Sequence, residues 1–341
     1  MSDLSHEIIY KKPKGTIDIY GTEYEKLNFY KLELENIFKK NGAIPLETPI
    51  YELENILLHK YGQEAENKLI FKLENSGSEE SDKYALRYDL TVPLERFIRE
   101  NGIKKIRRYS IGKVYRRDQP SIGRFREFYQ GDFDIVGENN SDMINEFVLL
   151  KMADSFLKLC NLTDYQILIN DTSNLKYILI DTLGINPNNF KNICQTIDKL
   201  DKYDYCGLVE ELKQKGLCQE QITNLKLLLD SKEPSCDSTL TAFNKLKGYC
   251  KNWNFDDKLI FTPSMARGLD YYNGFIWEIK INSFKSTIIS GGRYDNLIPN
   301  TSMVGISFGL SRMLGMLKYE ESVWNNLYYI TSIGKSINLE I

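Results

Sequence analysis

Histidine is scarce in this chain: 341 residues contain only His6 and His59. That scarcity constrains mechanism. A Ser-His-Asp hydrolase needs a well-placed imidazole. Gly305-Ile-Ser-Phe-Gly309 fits the G-x-S-x-G nucleophile pattern, but with so few histidines it reads as a chance match. The cysteines Cys160, Cys194, Cys206, Cys218, Cys236 and Cys250 form no C-x-x-C pair. Neither a redox pair nor a protein-bound structural metal is therefore expected, and cysteines scattered in this way fit a reducing compartment. No apolar run approaches the length of a membrane span, so no membrane partner is expected. The opening MSDLSHEIIYKK has neither a hydrophobic signal core nor an Arg-rich transit character, which makes the cytoplasm the expected location.

Charge of one sign is also lacking. The net charge of −3 argues against wholesale coating of nucleic acid, and 42% hydrophobic with 27% charged residues describes a soluble globular protein. The length admits one large domain with an insertion, or two to three domains. Charge is nonetheless concentrated locally. Lys104, Lys105, Arg107, Arg108, Lys113, Arg116, Arg117, Arg124 and Arg126 face only Asp118 in that stretch, a cluster able to contact phosphates.

The most unusual stretch is 112–137, GKVYRRDQPSIGRFREFYQGDFDIVG. The two-residue period places Val114, Arg116 and Asp118 on one strand face. Arg126, Phe128, Gln130, Asp132 and Asp134 share a face of a second strand, with Pro120 and Gly123 punctuating the turn. Two readings stand: a hairpin with a solvated charged face, or a surface for a ligand that is anionic in one part and polar in another.

The arrangement Arg116-x-Asp118, loop, Arg124-xxx-Phe128-xxx-Asp132 resembles the second signature motif of class II aminoacyl-tRNA synthetases. YRRDQP followed by REFYQGDFDI resembles its histidyl-tRNA synthetase form, and a class I synthetase would instead carry a His-Gly-His signature. The resemblance runs from about Pro13 to Leu317. It implies an α+β fold: a class II synthetase antiparallel sheet flanked by helices, with a helical insertion domain. Residues 1–171 would be the first part of the catalytic core, 172–256 the helical insertion and 257–325 the second part of the core. Residues 326–341 would be a remnant of the anticodon-binding domain.

Helical spacing of Leu27, Tyr30, Leu34, Ile37 and Phe38, ended by Asn41-Gly42 and followed by a strand and Pro49, matches the first class II motif. That motif implies a homodimer, though an ordinary core helix and strand fit equally. Pro13-Lys14-Gly15-Thr16 is similar to the family's N-terminal segment, with Ile17 where the family has Arg. LIFKL and YALRY read as two strands around an acidic turn. In LRYDLTVP, Asp89 or Thr91 caps the helix opened by Pro93. Alternatively, as in the family's amino-acid pocket, both receive an α-ammonium group.

By the same resemblance Arg116 would hold the α-phosphate of ATP and Arg124 the γ-phosphate. Phe128 would stack on adenine, Asp118 would meet its edge, and Arg312 would cover its other face, with Ser311 where the family has Glu. Neutral imidazole has one donor and one acceptor. Asp134 would accept from it and Tyr272 donate to it, while Gln130 reaches the amino or carboxylate end of L-histidine. ARGLDYY resembles the histidine-specific motif, which adds Tyr271 to the histidine-binding residues. There Arg267 would bridge substrate carboxylate and α-phosphate, so Arg116 and Arg267 are the catalytic candidates. An isolated arginine is otherwise a surface or ion-pair residue.

Ser290-Gly-Gly-Arg-Tyr-Asp295 matches the family's glycine-rich turn, and VGISFGLSR reads as the third motif, strand then helix. Residues 172–256 carry Leu and Ile at helical spacing (Leu175, Ile178, Leu179; Ile222, Leu225, Leu229). They form an insertion near the acceptor end of tRNA(His), or a stabilising appendage without ligand. The implied activity is histidine–tRNA ligation, with ATP as substrate together with Mg²⁺. Two alternatives remain: a histidine-binding regulatory subunit of histidine biosynthesis, and a degenerate synthetase-like interaction protein.

Overall fold

Helix α1 (Thr22–Lys40) buries Leu27, Tyr30, Leu34 and Phe38, a stripe at helical spacing that faces a sheet. Asn41 closes the helix by donating its side-chain amide to the Ile37 carbonyl at 2.8 Å, and Gly42 then turns at φ 80°, where a side chain would be strained. Strands β1 (Ile44–Pro45), β2 (Tyr51–Leu53) and β3 (Tyr84–Leu86) follow, then helix α2 (Thr91–Asn101), ended by Gly102 in the left-handed conformation. Hairpin strands β4 (Ile106–Tyr115) and β5 (Glu127–Val136) lead to helix α3 (Ile144–Leu159) and strand β6 (Tyr165–Asp171).

The helical segment contains α4 (Thr172–Lys176), continued by a wider helical turn over Tyr177–Thr182. It goes on through α5 (Phe190–Ile197), α6 (Tyr205–Gln214), α7 (Gln219–Asp230) and α8 (Asp237–Lys251). Strands β7 (Leu259–Phe261), β8 (Phe275–Ile281), β9 (Phe284–Arg293) and β10 (Met303–Phe308) complete the sheet, and α9 (Leu310–Met316) packs behind it. This computed structural model describes residues 10–59, 69–74, 83–121, 123–138, 142–200, 205–268, 272–295 and 297–316. Tyr271 and residues 326–341 lie outside the described residues.

The eight-stranded sheet runs β1-β4-β5-β10-β9-β8-β6-β7, antiparallel except for the edge pairs β1–β4 and β6–β7. The fold is thus α+β, with a mostly antiparallel sheet flanked by helices. Side chains alternate across each strand. Phe133 and Ile135 of β5 and Ile306 and Phe308 of β10 join the core under α1, α3 and α9. Gln130, Asp132 and Asp134 point to the opposite face, and all three are buried.

The segment 172–256 does not share a single core. Leu175, Ile178, Ile193, Ile197, Leu212, Ile222 and Leu225 form a separate cluster with Ala266. Phe243, Leu246 and Cys250 of α8 belong instead to the sheet's core.

Two local expectations change. LIFKL forms no full strand: it meets the edge of β3 away from β2 through the single bridge Lys72–Ala85, with Leu73 N–H donating to the Tyr84 carbonyl and Leu86 N–H to the Phe71 carbonyl, each at 2.9 Å. The glycines Gly291 and Gly292 lie inside β9, not in a turn. A Cβ on Gly291 would come 2.3 Å from the Gly305 carbonyl, and one on Gly292 would come 2.8 Å from the Tyr272 ring. Close strand packing, not a turn, requires glycine at both positions.

Candidate active site

A cavity of about 1180 Å³ opens on the polar face of β5, β9 and β10 and is walled on one side by α5. Arg116, Asp118, Arg124, Phe128, Gln130, Arg267 and Arg312 all line it. The four guanidiniums come from three distant parts of the chain. Their convergence is visible in the electrostatics. Burial, together with the positive charges of Arg124, Arg116 and Arg267, lowers the pKa of Arg312.

Each arginine is held by neighbours. The Arg116 Nε donates to the Tyr88 carbonyl at 3.1 Å, and its guanidinium lies 4.3 Å from the Tyr88 ring and 5.2 Å from the Phe128 ring. Arg124 pairs with Asp118 at 2.9 Å. Arg312 donates from Nε to the Gly123 carbonyl at 3.3 Å and from Nη1 to the Thr287 carbonyl, bracing the hairpin loop against β9. Arg267 donates to Glu278 at 2.7 Å and to Asp198 at 2.9 Å. Burial opposes the charge of Arg267, but these two carboxylates outweigh it and raise the guanidinium pKa. The hairpin loop is also tied to the N-terminal segment: Arg126 N–H donates to the Gly15 carbonyl at 2.7 Å.

The floor of the cavity is a relay. Arg116 Nη2 approaches Gln130 Oε1 at 3.4 Å, and Gln130 Nε2 donates to Ser307 Oγ at 2.5 Å. The Ser307 hydroxyl in turn bonds the Asp132 carboxylate. Ser307 sits inside β10, far from the sharp strand-to-helix elbow that a G-x-S-x-G nucleophile occupies.

Of the remaining predicted histidine-binding residues, Asp89, Thr91, Asp134 and Tyr272 are described, and none of the four lines the cavity. Asp134 is 3% exposed. It accepts a hydrogen bond from the Tyr294 hydroxyl and pairs with Arg108 at 2.7 Å. Tyr272 packs edge-on to Tyr294, with ring centroids 6.4 Å apart. Burial and the negative charges of Asp132, Asp134, Asp89 and Glu278 raise its phenol pKa, so these carboxylates share one neighbourhood with it. Asp89 Oδ1 accepts from the backbone N–H groups of Thr91 (3.1 Å) and Val92 (2.9 Å). That oxygen therefore caps α2.

The roles of several residues here carry no local sequence signal. The strand period puts Asp132 on the face of Gln130 and Asp134 but assigns it no contact. Asp132 is 4% exposed, and burial pushes its carboxyl up to about 7. Among the described residues its Oδ1 has no hydrogen-bond partner, nor do Nε and Nη1 of the buried Arg108. Tyr294, Glu278 and Asp198 meet their partners only through tertiary structure. Ser311 accepts the Tyr129 amide at 2.8 Å, satisfying a β5 donor beyond the end of the β5–β10 ladder, which stops at Gly131.

The family model described as histidyl-tRNA synthetase matches residues 15–317. A relative from Vairimorpha ceranae, named probable cytoplasmic histidine–tRNA ligase, is 40% identical over 95% of this chain and 80% of its own. A relative of the same name from Encephalitozoon cuniculi is 37% identical over 91% of this chain and 76% of its own. Among solved structures, the histidyl-tRNA synthetase of Nostoc sp. PCC 7120 superposes with a TM-score of 0.76. It has 23% identity and covers 90% of this chain and 75% of that one. With a family model spanning most of its length and relatives at this identity, the chain belongs to the histidyl-tRNA synthetase family.

Proposed function

We propose that this chain is a histidine–tRNA ligase that joins L-histidine to ATP and passes the histidine to tRNA(His). In the first step a histidine carboxylate oxygen bonds the α-phosphorus, the bond to the β-phosphate oxygen breaks, and pyrophosphate leaves. In the second, a terminal ribose hydroxyl of tRNA attacks the acyl carbon and AMP leaves. The single observation that carries this reading is the convergence of Arg116, Arg124, Arg267 and Arg312 on one cavity. Fixed guanidiniums match developing phosphate charge without reorganising. Catalysis here is positioning and charge stabilisation, with no side-chain nucleophile. A histidine sensor would need no such clamp, which favours the ligase over the regulatory reading.

In this assignment Arg116 and Arg267 act on the α-phosphate, Arg124 on the γ-phosphate, and Phe128 and Arg312 on adenine, with Asp118 at its edge. Arg124 would exchange Asp118 for phosphate. Gln130 addresses the amino or carboxylate end of histidine; Asp134 and Tyr272 address the imidazole, Tyr294 yielding its place on Asp134. Asp89, with Thr91, keeps the ammonium assignment through its second oxygen. Mg²⁺ enters with ATP as part of the substrate.

The helical segment is assigned to the acceptor end of tRNA. A homodimer is supported by apolar surface on α1 and the neighbouring strands: Tyr24, Leu32, Ile44 and Tyr51 are each about half exposed. A cytoplasmic location is supported by the names of the relatives. Among the described residues no helix is long and apolar enough to cross a membrane.

Histidine-dependent ATP–pyrophosphate exchange tests the reading. The parent chain is expected to exchange, and Arg267→Ala to lose on the order of 10²-fold or more. No exchange above the histidine-free blank would overturn it.

A further inference from the structure

Arg267 is held from two independent parts of the molecule. Glu278, which takes its Nη1, lies on β8 and is anchored by the Thr287 hydroxyl of β9 at 2.8 Å. Asp198, which takes its Nε at 2.9 Å, is the C-cap of α5. Ile193 and Ile197 of that helix belong to the second hydrophobic core. Helical geometry would not place a carboxylate at Asp198. The C-terminal end of a helix carries the negative pole of its dipole, and an acidic side chain there is unfavourable. The cation across the cavity accounts for it.

A single stripe of α5 and its cap faces the cavity. Lys191, Cys194, Gln195 and Asp198 follow at i, i+3, i+4 and i+7, and all four line it. The stripe that meets the cavity contents is thus the stripe that holds the arginine.

We propose that Asp198 is a positioning residue for adenylate formation: with Glu278 it fixes the plane of the Arg267 guanidinium. The helical segment thereby sets the aim of an arginine that belongs to the sheet side of the site. The inference rests on the role given to Arg267 under Proposed function. A guanidinium is a planar fork whose donors act only when aligned. An acceptor at Nε, added to the one at Nη1, holds two edges of the fork and so orients its plane. Preset alignment is what lets fixed charge stabilise a transition state.

The test is histidine-dependent ATP–pyrophosphate exchange by the 341-residue chain, with kcat and both KM values measured. Asp198→Asn is expected to lower kcat about tenfold while leaving KM for ATP and histidine within about twofold. Asp198→Glu should recover part of the loss. In an Arg267→Lys background, which lacks the fork, Asp198→Asn should cost little more. Thermal unfolding controls for folding: Asp198→Asn should move the midpoint by no more than a few degrees, since loss of the ion pair with Arg267 and relief of a charge unfavourable to the helix oppose each other.

An unchanged kcat would overturn the proposal, as would a fall that adds in full to that of Arg267→Lys. A lower KM with unchanged kcat would do so too, since it would mean that Asp198 competes with substrate. If Arg267→Ala itself exchanges like the parent, the reading of the site fails. If Arg267→Ala is impaired and Asp198→Asn is not, only this inference fails.

Discussion

Gly305 on β10 lies opposite Asp134 on β5, and a Cβ placed on it would stand 2.2 Å from Asp134 Oδ1 and 2.8 Å from the Tyr294 hydroxyl oxygen. The glycine is therefore a condition for the buried Asp134–Tyr294 pair. Gly305→Ala must push the carboxylate aside, and Asp134 is the proposed acceptor for imidazole. The expected outcome is a KM for histidine raised at least about tenfold, with KM for ATP changed far less, and a stability loss of about 1–3 kcal/mol from overpacking. Exchange kinetics at varied histidine and at varied ATP check the split. Equal effects on both substrates would separate Gly305 from the histidine pocket.

Gly248 is the control for that experiment. It lies inside α8, and nothing stands within 4 Å of a Cβ added there. Alanine at this position removes backbone freedom from the unfolded chain and improves helix propensity. Gly248→Ala is expected to stabilise by about 0.5–1 kcal/mol, read as a shift in denaturant midpoint, with exchange unaltered.

Ser311 joins α9 to β5 through the Tyr129 amide and is 3% exposed. Ser311→Ala leaves that amide without its acceptor, at a cost of about 1–3 kcal/mol. Arg312 follows directly and braces the hairpin loop at Gly123, so KM for ATP should rise while KM for histidine holds. A stability loss without an ATP effect would confine Ser311 to the scaffold.

The parts of this site that the sequence discloses are those whose geometry is local. Gln130, Asp132 and Asp134 share a face because a strand alternates, and Arg116 and Arg124 flank a turn marked by Pro120 and Gly123. Asp134 and Tyr294 are 160 positions apart, and only the pairing of β5, β10 and β9 brings them together. Arg267 and Asp198 are separated by 69 positions, with Asp198 on a helix whose pattern records burial and nothing of its cavity face. Gly291 and Gly292 mislead for a related reason. A glycine pair suggests a turn locally, whereas here its neighbours across the sheet set the requirement.

Asp132 gives the site a pH dependence whose sign follows from its surroundings. Burial chiefly, then the adjacent Asp134 and Asp89, push its carboxyl from 3.8 up to about 7, against the opposing pull of Arg108 and Ser307. A folded pKa above the unfolded one means that the native state holds the extra proton between those values. The favourable contribution is complete below pH 3.8, declines as pH rises through that window, and is gone above about 7. Asp132→Asn keeps the shape and the Ser307 contact but cannot ionise. Its stability relative to the parent should climb from pH 4 to pH 7 and then level off, by a total on the order of 1–4 kcal/mol. Unfolding midpoints of both proteins across that range make the check. A difference that stays flat with pH would show that Asp132 is not the group that titrates.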